Sequence, residues 1–123
     1  MNNNDKTIAT EQAGLPRALV EEICSSLRSI FGSSFKDAIL FGSYARGDFD
    51  SESDVDIAVL LDMPREEIKR HRKEVVSLSS KIASRHDKLA SFQEIALADF
   101  RAYQDASGFY RNIAREGVVL NAG

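Results

Sequence analysis

From Gly42 to Asp56 the chain reads Gly-Ser-Tyr-Ala-Arg-Gly-Asp-Phe-Asp-Ser-Glu-Ser-Asp-Val-Asp. Small, basic and acidic residues follow one another in an order suited to phosphate chemistry. Gly42 closes the apolar run Ala38-Ile39-Leu40-Phe41. Having no side chain, it lets a ligand approach the backbone closely. Ser43 then opens a turn or short helix, whose free N–H groups and hydroxyl can hold phosphate oxygens. Arg46, one turn later, can add a charge-assisted contact to an anion. Asp54 and Asp56 are two apart at the start of a strand pattern, so their carboxylates project from one face, with α-carbons roughly 6.6 Å apart. Side chains so placed can converge on one magnesium ion or share two. Magnesium is commonly held by carboxylates together with substrate phosphates.

Each feature alone has an ordinary explanation. Gly-Ser after a strand is commonly only a turn, Asp-x-Asp a solvated strand start, Arg46 a surface arginine, and Ser53 a turn cap. Their combination is what points to a site. Two like charges opening an otherwise apolar strand are costly unless water or a cation balances them.

Several elements must position these residues. After Pro16, the residues Leu19, Ile23, Leu27, Ile30 and Phe31 recur at steps of three and four. This predicts a helix with one apolar face, stopped by Gly32. Ala38–Phe41 reads as a buried strand. A second strand covers about Asp54 to Leu61, with Val55, Ile57, Val59 and Leu61 on one face and Asp54, Asp56, Ala58 and Leu60 on the other. Beyond Asp62-Met63-Pro64, an apolar stripe of Ile68, Val75, Leu78 and Ile82 predicts one long helix ending near His86. Leu89 to Leu97 is a third strand. Ala98 to Arg115 is helical, in two pieces broken near Ser107-Gly108. The fold expected is α+β, a small mixed sheet covered by helices. Residues 1–14 are expected to form a flexible polar tail and residues 15–123 a single domain.

The 123 residues suit one compact domain. A formal net charge of −3 gives no global attraction to nucleic acid or to an anionic membrane, so bulk nucleic-acid binding is not expected. No stretch approaches the ~20 apolar residues of a membrane span, and the polar N-terminus has no apolar signal core. Cys24 is the sole cysteine, which precludes an intrachain disulfide and fits the reducing cytoplasm. Set among Val20, Leu27 and Phe31, it reads as a packing residue. His71 and His86, flanked by Arg and Lys, read as solvated surface positions. The mixed-sign run Arg65 to Lys73 reads as a solvated helix face.

Gly42-Ser43, ten intervening residues and Asp54-Val55-Asp56 together resemble the signature of the polymerase-beta-type nucleotidyltransferase superfamily. The fuller string Phe41-Gly42-Ser43-Tyr44-Ala45-Arg46-Gly47, followed by Ser53-Asp54-Val55-Asp56-Ile57, is similar to its minimal nucleotidyltransferase branch. The resemblance implies a nucleotidyltransferase fold, with Gly42, Ser43 and Arg46 at the nucleotide triphosphate and Asp54 and Asp56 as catalytic magnesium ligands. It implies AMP transfer from ATP, with a small helical HEPN-type toxin as partner and acceptor and the chain itself as the antitoxin. A non-catalytic module that neutralises a partner by contact, and a small-molecule nucleotidyltransferase, are the alternatives. Members of the superfamily usually add a third carboxylate from a neighbouring strand. Here that strand places Ser91 at the expected position. Glu94, the one acid within it, falls on the opposite face. Glu94 therefore either completes the site through a shifted register or is an exposed strand residue.

Overall fold

The computed structural model describes residues 11–120. A two-residue hairpin opens it. Strand β1 (Glu11–Gln12) pairs antiparallel with β2 (Leu15–Pro16). Residues 11–14, expected in a tail, are thus part of the domain, because Leu15 is fully buried and draws the preceding turn onto the core. Residues 1–10, the rest of the expected tail, lie outside the described residues.

Helix α1 (Arg17–Phe31) follows, with Pro16 as its N-cap and Gly32 as its C-cap. Its buried residues are Leu19, Val20, Ile23, Cys24, Leu27 and Phe31, the stripe that the spacing predicts. A 3-10 turn leads into β3 (Phe35–Phe41), the short helix α2 (Ser43–Arg46) and β4 (Val55–Leu61). Then come α3 (Arg65–Lys69), α4 (Arg72–His86), β5 (Ala90–Ala96), α5 (Leu97–Tyr103), α6 (Gly108–Glu116) and β6 (Val118–Val119). The break near Ser107 is as expected, and Ser107 caps α6 by accepting from the Tyr110 N–H.

The main sheet has the order β5-β4-β3-β6. β3 is antiparallel to both β4 and β6, and β4 is parallel to β5. The parallel pair is joined by the α3–α4 crossover, as parallel strands require. Val55, Ile57, Val59 and Leu61 pack with α1 and α4 on one face; Ala58 and Leu60 pack with Phe100 and Ile113 on the other. The central strand is apolar on both faces because helices cover both. Its one polar residue, Asp56, lies at its start, and that is where the sheet can offer chemistry.

One predicted helix is two. The stripe through Ile68, Val75, Leu78 and Ile82 is interrupted at Arg70-His71. There His71 lays its ring 5.0 Å from that of Phe31 and bonds Glu74 at 2.8 Å. His86 likewise is half-buried rather than solvated. Its Nε2 lies 2.9 Å from Glu22 Oε1, while Arg85 donates to Glu22 Oε2 at 2.9 Å. These contacts tie the end of α4 to α1.

The hydrogen bond from His86 holds the Glu22 carboxyl below its ordinary value, against the opposing effect of burial. A depressed folded-state pKa stabilises the fold above the unfolded value and is lost as pH falls through the folded one. Glu22→Gln is therefore expected to lower stability by about 1 kcal/mol at neutral pH. Thermal melts should show the gap to wild type closing as pH drops below the ordinary glutamate range.

Candidate functional site

The β3–α2 turn and the start of β4 are brought together by antiparallel pairing, in which Phe41 lies opposite Asp56. Gly42 then leaves the sheet with φ 75° and ψ −151°, a conformation essentially restricted to glycine. A Cβ built on Gly42 would lie 2.6 Å from Asp56 Oδ2. The turn and the carboxylate are therefore in direct apposition, and the missing side chain is what permits it.

Ser43 begins α2. The Arg46 N–H donates to Gly42 O at 3.1 Å, so the N–H groups of Ser43, Tyr44 and Ala45 have no acceptor within this helix. Arg46 is exposed, and its Nε donates to Asp48 Oδ2 at 3.3 Å. Asp54 stands one residue before β4 and is exposed; Asp56 lies within the strand and is half-buried. Burial pushes the Asp56 carboxyl up. The Asp54 charge adds to this and Arg46 opposes it. The five residues singled out by the sequence thus form one cluster. The loop before Asp54 is held by Asp50, whose N–H donates to Ser53 Oγ at 3.0 Å and whose Oδ1 accepts from the Glu52 N–H at 2.8 Å. Ser53 does cap that turn.

The donor set suits a hard divalent cation. It offers carboxylate oxygens from two neighbouring acids, one of them half-buried and raised by that burial and by its neighbour's charge. Among the described residues no group of three or more His, Cys, Asp or Glu residues converges on one point. Among the described residues the pair stands without a third acid. The parallel register explains why, because Asp56 lies opposite Ser91 and Val59 opposite Glu94. Ser91 takes the neighbouring position on the Asp56 face, and Glu94 faces the other way.

Neither expectation for Glu94 holds. It does not reach the Asp54–Asp56 cluster, and it is not exposed. Its side chain is 8% exposed and pairs with Arg72 Nη1 at 2.5 Å, leaving Oε2 without a hydrogen-bond partner. Arg72 in turn is not merely part of a solvated face. Burial raises the Glu94 carboxyl above its ordinary value despite Arg72. The ionised form therefore costs stability above the folded-state pKa, a cost that vanishes below the unfolded one. Glu94→Gln is expected to leave kcat within twofold of wild type and to leave the melting temperature at neutral pH unchanged or higher.

No residue pattern signals the packing behind Ser43. Tyr44 is buried and stacks on Phe49, with ring centroids 4.2 Å apart and planes 11° apart. Lys88 Nζ donates to the Tyr44 hydroxyl at 2.7 Å, which satisfies the polar tip of a buried ring. A Cβ on Gly14 would meet the Phe49 ring at 2.5 Å. The N-terminal hairpin therefore presses on Phe49, and Phe49 on the residue next to Ser43. Tyr and Phe five apart in a glycine-containing loop carry no periodicity that would reveal such a stack.

Residues 20–119 match the nucleotidyltransferase domain family, which accounts for most of the chain. The chain belongs to that family. This nucleotidyltransferase is 32% identical over 101 residues to a protein of Methanocaldococcus jannaschii whose name assigns it provisionally as a protein adenylyltransferase. The match covers 82% of the chain and 93% of that relative. A solved toxin–antitoxin structure with AMP-PNP aligns with a TM-score of 0.56 and 27% identity, over 85% of the nucleotidyltransferase and 73% of the solved chain. The fold is shared further with a complex of a tri-AMPylated Shewanella oneidensis HEPN toxin and its MNT antitoxin. That match has a TM-score of 0.51 and 24% identity, over 87% of this chain and 73% of the other.

Proposed function

We propose that this nucleotidyltransferase is the antitoxin of a toxin–antitoxin pair and transfers AMP from ATP to a hydroxyl of a small helical HEPN-type toxin in the cytoplasm. The observation that carries the reading is the apposition of Gly42 and the Asp56 carboxylate, with Asp54 beside it. That apposition supports a turn that would hold phosphate against a pair of acids that would hold metal, in a chain similar to a provisionally named protein adenylyltransferase.

Ser43 and the free N–H groups of α2 hold the triphosphate oxygens, and Arg46 adds a cation at their edge. Gly42 lets the phosphates lie against the backbone next to Asp56. Asp54 and Asp56 would hold magnesium. The bound ion would neutralise phosphate charge and favour the attacking oxygen. The acceptor hydroxyl attacks the α-phosphorus in line and gives up its proton to water. A new oxygen–phosphorus bond forms as the bond to the β-phosphate oxygen breaks and pyrophosphate leaves. AMP remains on the acceptor. The small domain has no added substrate-binding lobe among its described residues, which suits an acceptor that brings its own surface.

The test uses ATP labelled on the α-phosphate, magnesium and the co-expressed helical partner. Label from the α-position is expected on a partner hydroxyl, none from the γ-position, and none after EDTA. A tight complex without label would overturn transfer in favour of neutralisation by contact. Label on a small molecule alone would overturn the protein acceptor.

A further inference from the structure

β5 is an edge strand, paired only with β4 among the described residues. The Val55 N–H donates to Leu89 O at 2.9 Å, and Val55 lies opposite Ala90. In a parallel ladder this turns the backbone groups of Ser91, Gln93 and Ile95 toward β4 and those of Phe92, Glu94 and Ala96 toward the free edge. On that side the Ala90 carbonyl accepts from Ser79 Oγ at 3.2 Å and Ala96 caps α5; the groups between them, at Phe92 and Glu94, have no strand partner among the described residues and are a template for another strand.

Two cavities follow that edge. One, of about 320 Å³, starts at Asp54 and runs past Val76 and Leu89. The other, of about 480 Å³, lies beside Ile95 and Ala96 and is rimmed by Arg65 and Lys69. Arg72 lines both, so the two adjoin there and follow β5 as a trough divided at Arg72. Val76 and Leu89 are apolar and more than half exposed, at 53% and 59%. The trough thus has an apolar side, the outward backbone groups of Phe92 and Glu94, and one end beside Asp54.

The geometry points to this trough as the docking groove of the protein acceptor, which lies along β5 as an added strand and leads its hydroxyl toward Asp54. The inference rests on the transferase reading above. The occupant is an extended segment with small apolar side chains alternating along it and an acidic residue near the Ala96 end. Charge selects the acid: Arg65 and Arg72 are paired with Asp99 and Glu94, and Lys69 has no ion-pair partner among the described residues. Main-chain bonds supply affinity in strand addition, and alternate side chains supply choice of partner.

The probe is an acetylated eight-residue peptide alternating valine and aspartate, with a lysine-for-aspartate peptide and a proline-interrupted peptide as controls. Amide resonances of Phe92, Glu94 and Ala96 should shift with the acidic peptide and not with either control. Equal shifts with the basic peptide, or shifts confined to residues away from β5, would overturn the docking. Lys69→Glu and Val76→Asp, both at exposed positions, should each raise KM for the protein acceptor at least tenfold, with kcat and the Kd for ATP within twofold of wild type. An unchanged acceptor KM in both variants would overturn the groove while leaving transfer standing. Absent transfer in wild type would overturn the transferase reading, and the peptide shifts would still decide the docking.

Discussion

Replacing Asp54 or Asp56 by asparagine is expected to lower AMP transfer by about a thousandfold, roughly 4 kcal/mol of barrier. Each change removes one of two charged oxygen donors from a site that has no third acid within reach among the described residues. Little charge compensation then remains to hold a divalent cation against the phosphates. Stability should respond in the opposite sense. Asp56 is half-buried and its carboxyl is raised by burial and by Asp54, so neutralising either acid relieves an unfavourable charge. Melting temperatures equal to or above wild type, together with lost turnover, are the expected pair of results. Unfolding of either variant would make these acids structural and sink the assignment.

Gly42→Ala should be nearly as damaging to transfer by another route. The new methyl carbon would have to sit 2.6 Å from Asp56 Oδ2, on a backbone with φ 75° and ψ −151°. The carboxylate must swing away or the turn must move, and either separates the phosphate-holding turn from the acids. The expected loss is about a hundredfold in kcat/KM, roughly 2.7 kcal/mol, with a backbone strain of about 1–3 kcal/mol visible in the melt. Gly47→Ala is the control. Gly47 also has positive φ, at 83°, but a Cβ there meets nothing within 4 Å. It should cost stability through backbone strain alone and keep most of the transfer rate. Equal loss of turnover in both variants would mean that backbone strain, not the Asp56 contact, governs the site.

Much of this arrangement was legible before any coordinates. The Leu19–Phe31 spacing predicts α1, and the alternation from Val55 to Leu61 predicts β4, because one face of a helix and two faces of a covered strand leave regular apolar patterns. The five candidate residues are visible as a motif because they are close in sequence and sit where a strand gives way to a turn. Contacts between distant segments were not visible. The Arg70-His71 break depends on His71 meeting Phe31, and the Arg72–Glu94 pair joins residues from different elements. The hairpin at Glu11–Pro16 is too short for any periodicity. Register placed Ser91, not Glu94, beside Asp56, as alternation implies. What alternation does not show is that the far face is covered at Glu94, so an acid there is buried and paired rather than solvated.

The most direct test of the central claim is the intact mass of the helical partner purified from cells that co-express it with this chain. Wild type should yield a partner heavier by one or more whole AMP units, mapped to a hydroxyl-bearing residue. Co-expression with the Asp54→Asn, Asp56→Asn double variant should yield the unmodified mass. An unmodified partner from wild-type cells, in a stable complex with this chain, would contradict the account and show that neutralisation needs no transfer.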